Sequence, residues 1–214
     1  SSQDRPTLNE RTPIQLGTDL EHLQTMAGRF AHVFYVTPGP TVGLNTAYWG
    51  PPKRRSTPQK ALTMNMGAYT NISSVNFQHD ALAATTVDGS VQDRKTNQKR
   101  PVQERQSDRT SLSKKSALKA QSHKRLKQFR ETGRDLAQAA YRAQAIADRS
   151  VDDVVTVTGK IDTVRYGEIL RLRGVVGLRG AGHSYDGLYY VKEVTHTLHK
   201  GNYNQSFTIT REGL

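Results

Sequence analysis

Hydrophobic residues recur at helical spacing from Leu20 through Leu23, Met26 and Ala27 to Phe30, which predicts one apolar helix face. Thr18 stands just before this run and Glu21 three residues after it, the spacing of a capping box that starts a helix. The pattern then changes. His32-Val33-Phe34-Tyr35-Val36 is a short β-type run closed by Thr37-Pro38-Gly39-Pro40, and a second run from Leu44 to Trp49 stops at Gly50-Pro51-Pro52. Leu62, Met64 and Met66 alternate within 61–67, Val75 and Phe77 repeat that spacing, and 85–91 predicts a strand with a turn at Asp88-Gly89. Residues 18–92 therefore predict a helix followed by a few antiparallel strands.

Between 93 and 133 Gln, Lys, Arg and Ser dominate, which predicts a solvated linker, partly disordered or weakly helical. From Asp135 the periodicity returns: Leu136, Ala139, Ala140, Ala143 and Ile146 form a small-residue helical stripe suited to close packing. Everything after Val151 is β in character, with strands expected at 154–158, 168–172, 188–198 and 203–211. Gly174, Gly177, Gly180 and Gly182 crowd one connection, and Lys200-Gly201-Asn202 is a hairpin signal. Tyr203, Phe207 and Ile209 share one strand face. Short strands with such turns predict a small antiparallel barrel or sandwich. The expected class is α+β, mainly β, organised as 1–92, a linker 93–133, and 134–214.

Composition sharpens this. Of 214 residues 35% are hydrophobic and 23% charged, a lean core that leaves part of the chain exposed or packed against partners. There is no cysteine, which excludes disulfides, thiolate metal sites and cysteine catalysis. No apolar run reaches the ~18 residues that a membrane span needs. The start, Ser1-Ser2-Gln3-Asp4-Arg5, is polar, without a signal-peptide core or an initiating methionine, so a portion of a longer protein is expected. The net charge is +12, and residues 94–134, with 14 Lys and Arg against 3 Asp and Glu, carry +11 of it.

Candidate chemistry is thin. His196 and His199 lie an odd number of residues apart on a predicted strand, so their rings point to opposite faces and share no metal. His196 is expected to be a packed or hydrogen-bonded sheet residue. Asp152-Asp153 at a strand start reads as a turn or cap. The glycine-rich stretch 174–182 lacks the Gly-Lys-Ser/Thr ending and the following helix of a phosphate loop. His183, Ser184 and Asp186 are triad residue types, but adjacency in sequence is not convergence in space. No catalytic, cofactor-binding or metal-binding residue is assigned, and no enzyme is expected. The basic segment 94–134 leaves nucleic-acid binding as an alternative, through Lys114, Lys115, Lys124, Arg125 and Lys127. Phe129 is its only aromatic residue, so base stacking is not provided for.

Two passages resemble a known family. Asp186-Gly187-Leu188-Tyr189-Tyr190-Val191-Lys192-Glu193-Val194-Thr195-His196, then Gly201-Asn202-Tyr203, Phe207 and Arg211, resembles the closing segment of contractile-tail hub proteins. These are the late-control-gene-D type, related to the hub portion of VgrG spikes. The passage 170–182 and the helix 139–147 resemble the segments before it. Residues 19–93 resemble the middle of such hubs through Tyr48-Trp49-Gly50-Pro51-Pro52, Pro58-Gln59, Asn65-Met66-Gly67, Asn71 and Val87-Asp88-Gly89-Ser90-Val91. The resemblance implies a homotrimer that joins a sixfold tail tube above to a threefold spike below, beside other baseplate subunits. It further implies a tail-tube-like C-terminal barrel, no cofactor, no direct membrane contact, and assembly in the bacterial cytoplasm into a tail-like particle. Family hubs carry two barrels and this chain is expected to contain all of only one. Tyr189, Val191, Phe207 and Ile209 are the candidates for barrel core or subunit contact.

Overall fold

The computed structural model describes residues 14–214. Thr18 caps α1 (Asp19–Arg29): its side chain accepts from the Glu21 amide, and the Glu21 carboxylate accepts from the Thr18 amide at 2.9 Å. The capping box read from the sequence is therefore formed. Next come β1 (Val33–Pro38), β2 (Asn45–Gly50), β3 (Gln59–Thr63), β4 (Ile72–His79), β5 (Thr85–Gln92) and β6 (Lys99–Glu104). The short helix α2 (Ala117–Ala120), β7 (Arg125–Phe129) and the long helix α3 (Leu136–Val151) follow. The chain ends with β8 (Val155–Asp162), α4 (Thr163–Tyr166), β9 (Val175–Arg179), β10 (Gly187–His199) and β11 (Asn202–Arg211).

Two compact units share these elements. A sheet unit comprises Lys53–Thr85, Asp108–Arg125 and Ser150–Leu214; a hairpin unit comprises 14–52, Thr86–Ser107 and Leu126–Arg149. The chain passes from one to the other repeatedly, so boundaries at 92 and 133 do not separate compact bodies. Pairing between distant strands decides the grouping, and local pattern does not carry it.

In the sheet unit six strands run in the order β3-β9-β10-β11-β8-β4. All neighbours are antiparallel except β3 and β9, which pair in parallel. The sheet is curled, half a barrel, and not the closed antiparallel barrel or sandwich of C-terminal strands alone. β3 and β4 were expected to belong to an N-terminal unit, but their apolar positions are covered only when they join the C-terminal strands. Register shifts at Val191/Glu193 and at Ile72/Ser74 add the local twist that bulges give a sheet. The inner face carries Val155, Val157 and Ile161 of β8 and Leu178 of β9, packed with Leu62, Leu118, Tyr166 and Leu170. Gly159 lets β8 close up against β4 on one side and β11 on the other: a Cβ there would sit 2.5 Å from the Ser74 carbonyl oxygen and 2.7 Å from the Phe207 ring.

Glu168–Leu172, read as a strand, is irregular, and the strand is β9, inside the glycine-rich passage read as a connection. Gly180 closes that strand at φ 82°, where a Cβ would lie 1.9 Å from the Met64 carbonyl oxygen, so close backbone approach is what demands glycine.

In the hairpin unit β5 runs unbroken through Asp88-Gly89, where a turn was expected. Gly89 instead lies against Phe129, whose carbonyl oxygen would be 2.7 Å from a Cβ. The segment 93–133, expected as a linker, supplies β6 and β7 on either side of β5 and also α2. Flanking strands covered on one face need few apolar residues, and Val102 and Phe129 suffice here, which is why the segment reads as polar. The small-residue stripe is α3, with Ala139 and Ala143 buried beside Val87, Val91, Val102 and Phe129, while Ala140 faces solvent. β1 and β2 form a separate two-stranded hairpin.

Candidate assembly site

All four candidate residues lie on the inner face of the curled sheet. Tyr189, Val191 and Ile209 are 0% exposed and Phe207 is 3% exposed. They form core within one chain, and their side chains are not at the surface where a second subunit could reach them. Tyr189 also has a polar duty: its hydroxyl donates to the Tyr185 carbonyl at 2.6 Å, and its ring lies 4.5 Å from the Arg211 guanidinium. Burial pushes the Tyr189 hydroxyl up to about 12, against the pull of Arg211. Arg211 is itself buried and donates to the carbonyls of Asp186 and Ser184, which fixes the turn leading into β10.

The surfaces open to neighbours include the other face and the β4 edge of this sheet; along β3, Asn71 accepts from the Thr63 amide at 2.8 Å and donates to the Ala61 carbonyl at 3.0 Å, which occupies that edge. Across the outer face Asn76, Thr158, Thr208 and Glu193 stand in one cross-strand row, and Ser74, Lys160, Ser206 and Thr195 in the next. These residues, with Val75, Gly159 and Phe207, line a shallow groove. The edges differ in kind. β3 carries Lys60 and a register shift after Gln59, both of which discourage addition of another strand. β4, Ile72-Ser73-Ser74-Val75-Asn76-Phe77-Gln78-His79, has no Asp, Glu, Lys or Arg, and among the described strands it pairs only with β8.

Under the sheet unit sits an ion cluster that no local motif announces. Arg54 donates to Glu212 Oε2 and to Asp152 Oδ1, each at 2.8 Å, and Arg109 grips both Asp152 oxygens at 2.9 Å. Glu212 Oε1 also accepts from the amides of Leu112 (2.6 Å) and Ser113 (2.7 Å) and from the hydroxyls of Ser111 and Ser113. Burial pushes the Glu212 carboxyl up, but the Ser113 amide, the Ser111 hydroxyl and Arg54 together outweigh it and hold it below its usual range. At Asp152 burial prevails over Arg109 and Arg54, and its carboxyl lies above the usual range. The cluster fastens the excursion 108–125 and the end of the chain to the residues before β3. It is a clasp of complementary charges, with Asp152 serving as a partner for two arginines and not as a turn or cap.

These elements have a precedent. The fold is one seen in phage tail proteins. A protein described as the tail protein from Neisseria meningitidis MC58 superposes with a TM-score of 0.63 at 14% identity, over 93% of this chain and 57% of that one. The 43 kDa tail protein of prophage MuSo2 from Shewanella oneidensis gives 0.59 at 12% identity, over 93% and 54%. This chain thus spans little more than half the length of either tail protein. No family model matches the sequence. No curated protein matches it either.

Of the remaining candidates in this tail-protein fold, His196 stays exposed near the far end of β10, where its Nδ1 lies 2.6 Å from the Tyr203 hydroxyl and the two rings stack. It is hydrogen-bonded, as expected, though not packed inside. Among the described residues no three His, Asp or Glu side chains gather as metal ligands would. The positive charge falls differently in space than in sequence. The sheet unit holds 18 Lys and Arg against 9 Asp and Glu, so most of the +12 belongs to it. Lys114, Lys115, Lys119 and Lys124 are exposed there, while Arg109 of the same segment is consumed in the clasp.

Proposed function

We propose that this chain is a structural, non-enzymatic hub of a contractile, phage-tail-like injection system. In this reading it forms a homotrimer that adapts a sixfold tail tube above to a threefold spike below, in contact with other baseplate subunits. The observation that carries the reading is the tail-protein fold shared over 93% of the chain. The sheet adds physical support: half a barrel with one uncharged open edge at β4 is suited to being completed by a neighbour. The particle is assembled in the bacterial cytoplasm, with no cofactor and no direct membrane contact. No helix among the described residues is long and apolar enough to cross a membrane.

Light scattering on the purified chain at two salt concentrations tests this. A salt-resistant trimer is expected, and Asn76→Lys with Gln78→Lys on the exposed face of β4 should lower the mass while leaving the circular dichroism unchanged. A wild-type chain that stays monomeric at every concentration would overturn self-assembly as its function. The exposed lysines 114, 115, 119 and 124 favour one second reading, nucleic-acid binding through 94–134. It requires a mass gain on adding DNA at low salt that disappears as salt is raised.

A further inference from the structure

The last hairpin of the sheet unit outruns the strand beside it. β10 has 13 residues and β9 has 5, and β9 pairs only with the start of β10, Gly187–Tyr190. The Val191 amide still donates to the Gly174 carbonyl at 2.8 Å. Beyond it, among the described residues, nothing pairs with the side of β10 that faces away from β11. Val194-Thr195-His196-Thr197-Leu198-His199 is therefore a second open edge, free of Asp, Glu, Lys and Arg as β4 is. Its two faces are sorted in the same way. Register puts Val194 opposite the core residue Phe207, so Val194, His196 and Leu198 share the inner face, and Thr195 and Thr197 the outer. On β4, Val75 opposite Gly159 and Phe77 opposite Val157 share the inner face, and Ser74, Asn76 and Gln78 the outer. Thr195 to His199 are all exposed, Leu198 by 72%.

We infer that β4 of one copy pairs with this β10 edge of the next, and that the contact repeats around a threefold ring. The inference rests on the homotrimer proposed above and names the surface that β4 meets. Symmetry narrows the choice. A ring of three identical subunits needs a head-to-tail contact between two different patches, because a patch that meets itself closes a dimer. β4 is one patch. Of the other edges in the six- and three-stranded sheets, β3 is occupied by Asn71, while β6 and β7 carry Lys99, Arg100, Arg125 and Lys127, which discourage pairing. The β10 edge remains. Side by side, the two strands set Val75 and Phe77 of one copy against Val194 and Leu198 of the next, and the exposed Leu198 gains apolar neighbours. Thr195 and Thr197 continue the polar outer face of β4. Main-chain hydrogen bonds supply the affinity, and the matched faces hold the register.

The chain has no cysteine, so introduced thiols report on this contact alone. Asn76→Cys is combined in the full chain with Thr195→Cys and, in a second variant, with Thr197→Cys to admit a shifted register. All three positions are exposed, and the circular dichroism should not change. Within one copy β8 and β11 separate β4 from β10, ~14 Å over three strand spacings and beyond the ~7 Å between Cα atoms that a disulfide bridges. Mild oxidation is expected to give a covalent trimer on a denaturing gel for at least one double variant, reversed by reduction, while each single variant stays monomeric on that gel. Linked dimers of Asn76→Cys alone would show β4 meeting β4 across a twofold axis and overturn the inference. A trimer by light scattering with neither double variant linked would overturn it and leave the hub reading standing. A chain monomeric at every concentration would overturn both.

Discussion

The sheet unit and the segment 14–52 are written in similar local patterns, yet they bury very different amounts. Alternating apolar residues on β8 and β11 vanish into a core that includes Val155, Val157, Phe207 and Ile209. The equally apolar run through β1 and β2 leaves Val36, Leu44 and Trp49 in solvent, and among 14–52 only Ala27, Ala31 and Gly50 are buried. The difference lies in the number of strands. Six strands curl and enclose their own inner face; two strands have nowhere to turn it. The same hydrophobic pattern therefore means core in one region and solvent-exposed side chains in the other.

The largest effect should come from the clasp beneath the sheet. Arg54→Ala leaves Glu212, 2% exposed, without its counter-ion and should cost ~3–5 kcal/mol in denaturant unfolding. A loss below ~1 kcal/mol would mean that the cluster is solvated and decorative. Next, Ile209→Ala in the enclosed face should cost ~2–5 kcal/mol, because it opens a cavity. Val36→Ala, on the hairpin, should stay within ~0.5 kcal/mol for the dilute monomer. Equal losses at the two positions would erase the contrast drawn here.

A smaller and gradual effect follows from pH. The folded-state Glu212 carboxyl lies below its ordinary 4.5, so its contribution is complete above pH 4.5 and is lost as pH falls through the lower folded value. Glu131, paired with Arg134 and Arg142 in the hairpin unit, is lowered as well and adds in the same direction. Thermal unfolding temperatures should therefore drop on acidification below pH 4.5, and Glu212→Gln should flatten that slope.

The sequence made some of this legible and hid the rest for physical reasons. Thr18 and Glu21 lie one turn apart, and Lys200-Gly201 sits between the two strands it joins, so the capping box and the β10–β11 hairpin could be read directly. Tyr189, Val191, Phe207 and Ile209 were legible as one alternating face, but whether that face meets its own chain or another depended on strands elsewhere. β9 was obscured because Gly177 and Gly180 look like turn residues, whereas Gly180 permits close approach of the Met64 backbone. Arg54 and Glu212 stand 158 residues apart, and no local window joins them. The positive excess looked like a linker's charge because Lys99 and Lys127, on strands that flank β5, need no apolar neighbours on their open side.

The wiring of the curled sheet also sets a timetable for synthesis. β3 and β4 leave the ribosome long before their partners: β4 ends at His79, and β8, its neighbour in the sheet, begins at Val155. At ~5–20 residues per second the nascent chain carries these two strands unpaired for on the order of ten seconds. During that interval the uncharged strand β4 is exposed to any other chain growing nearby. A polysome spaces identical nascent chains closely, so premature pairing between them is the hazard that this order of strands creates.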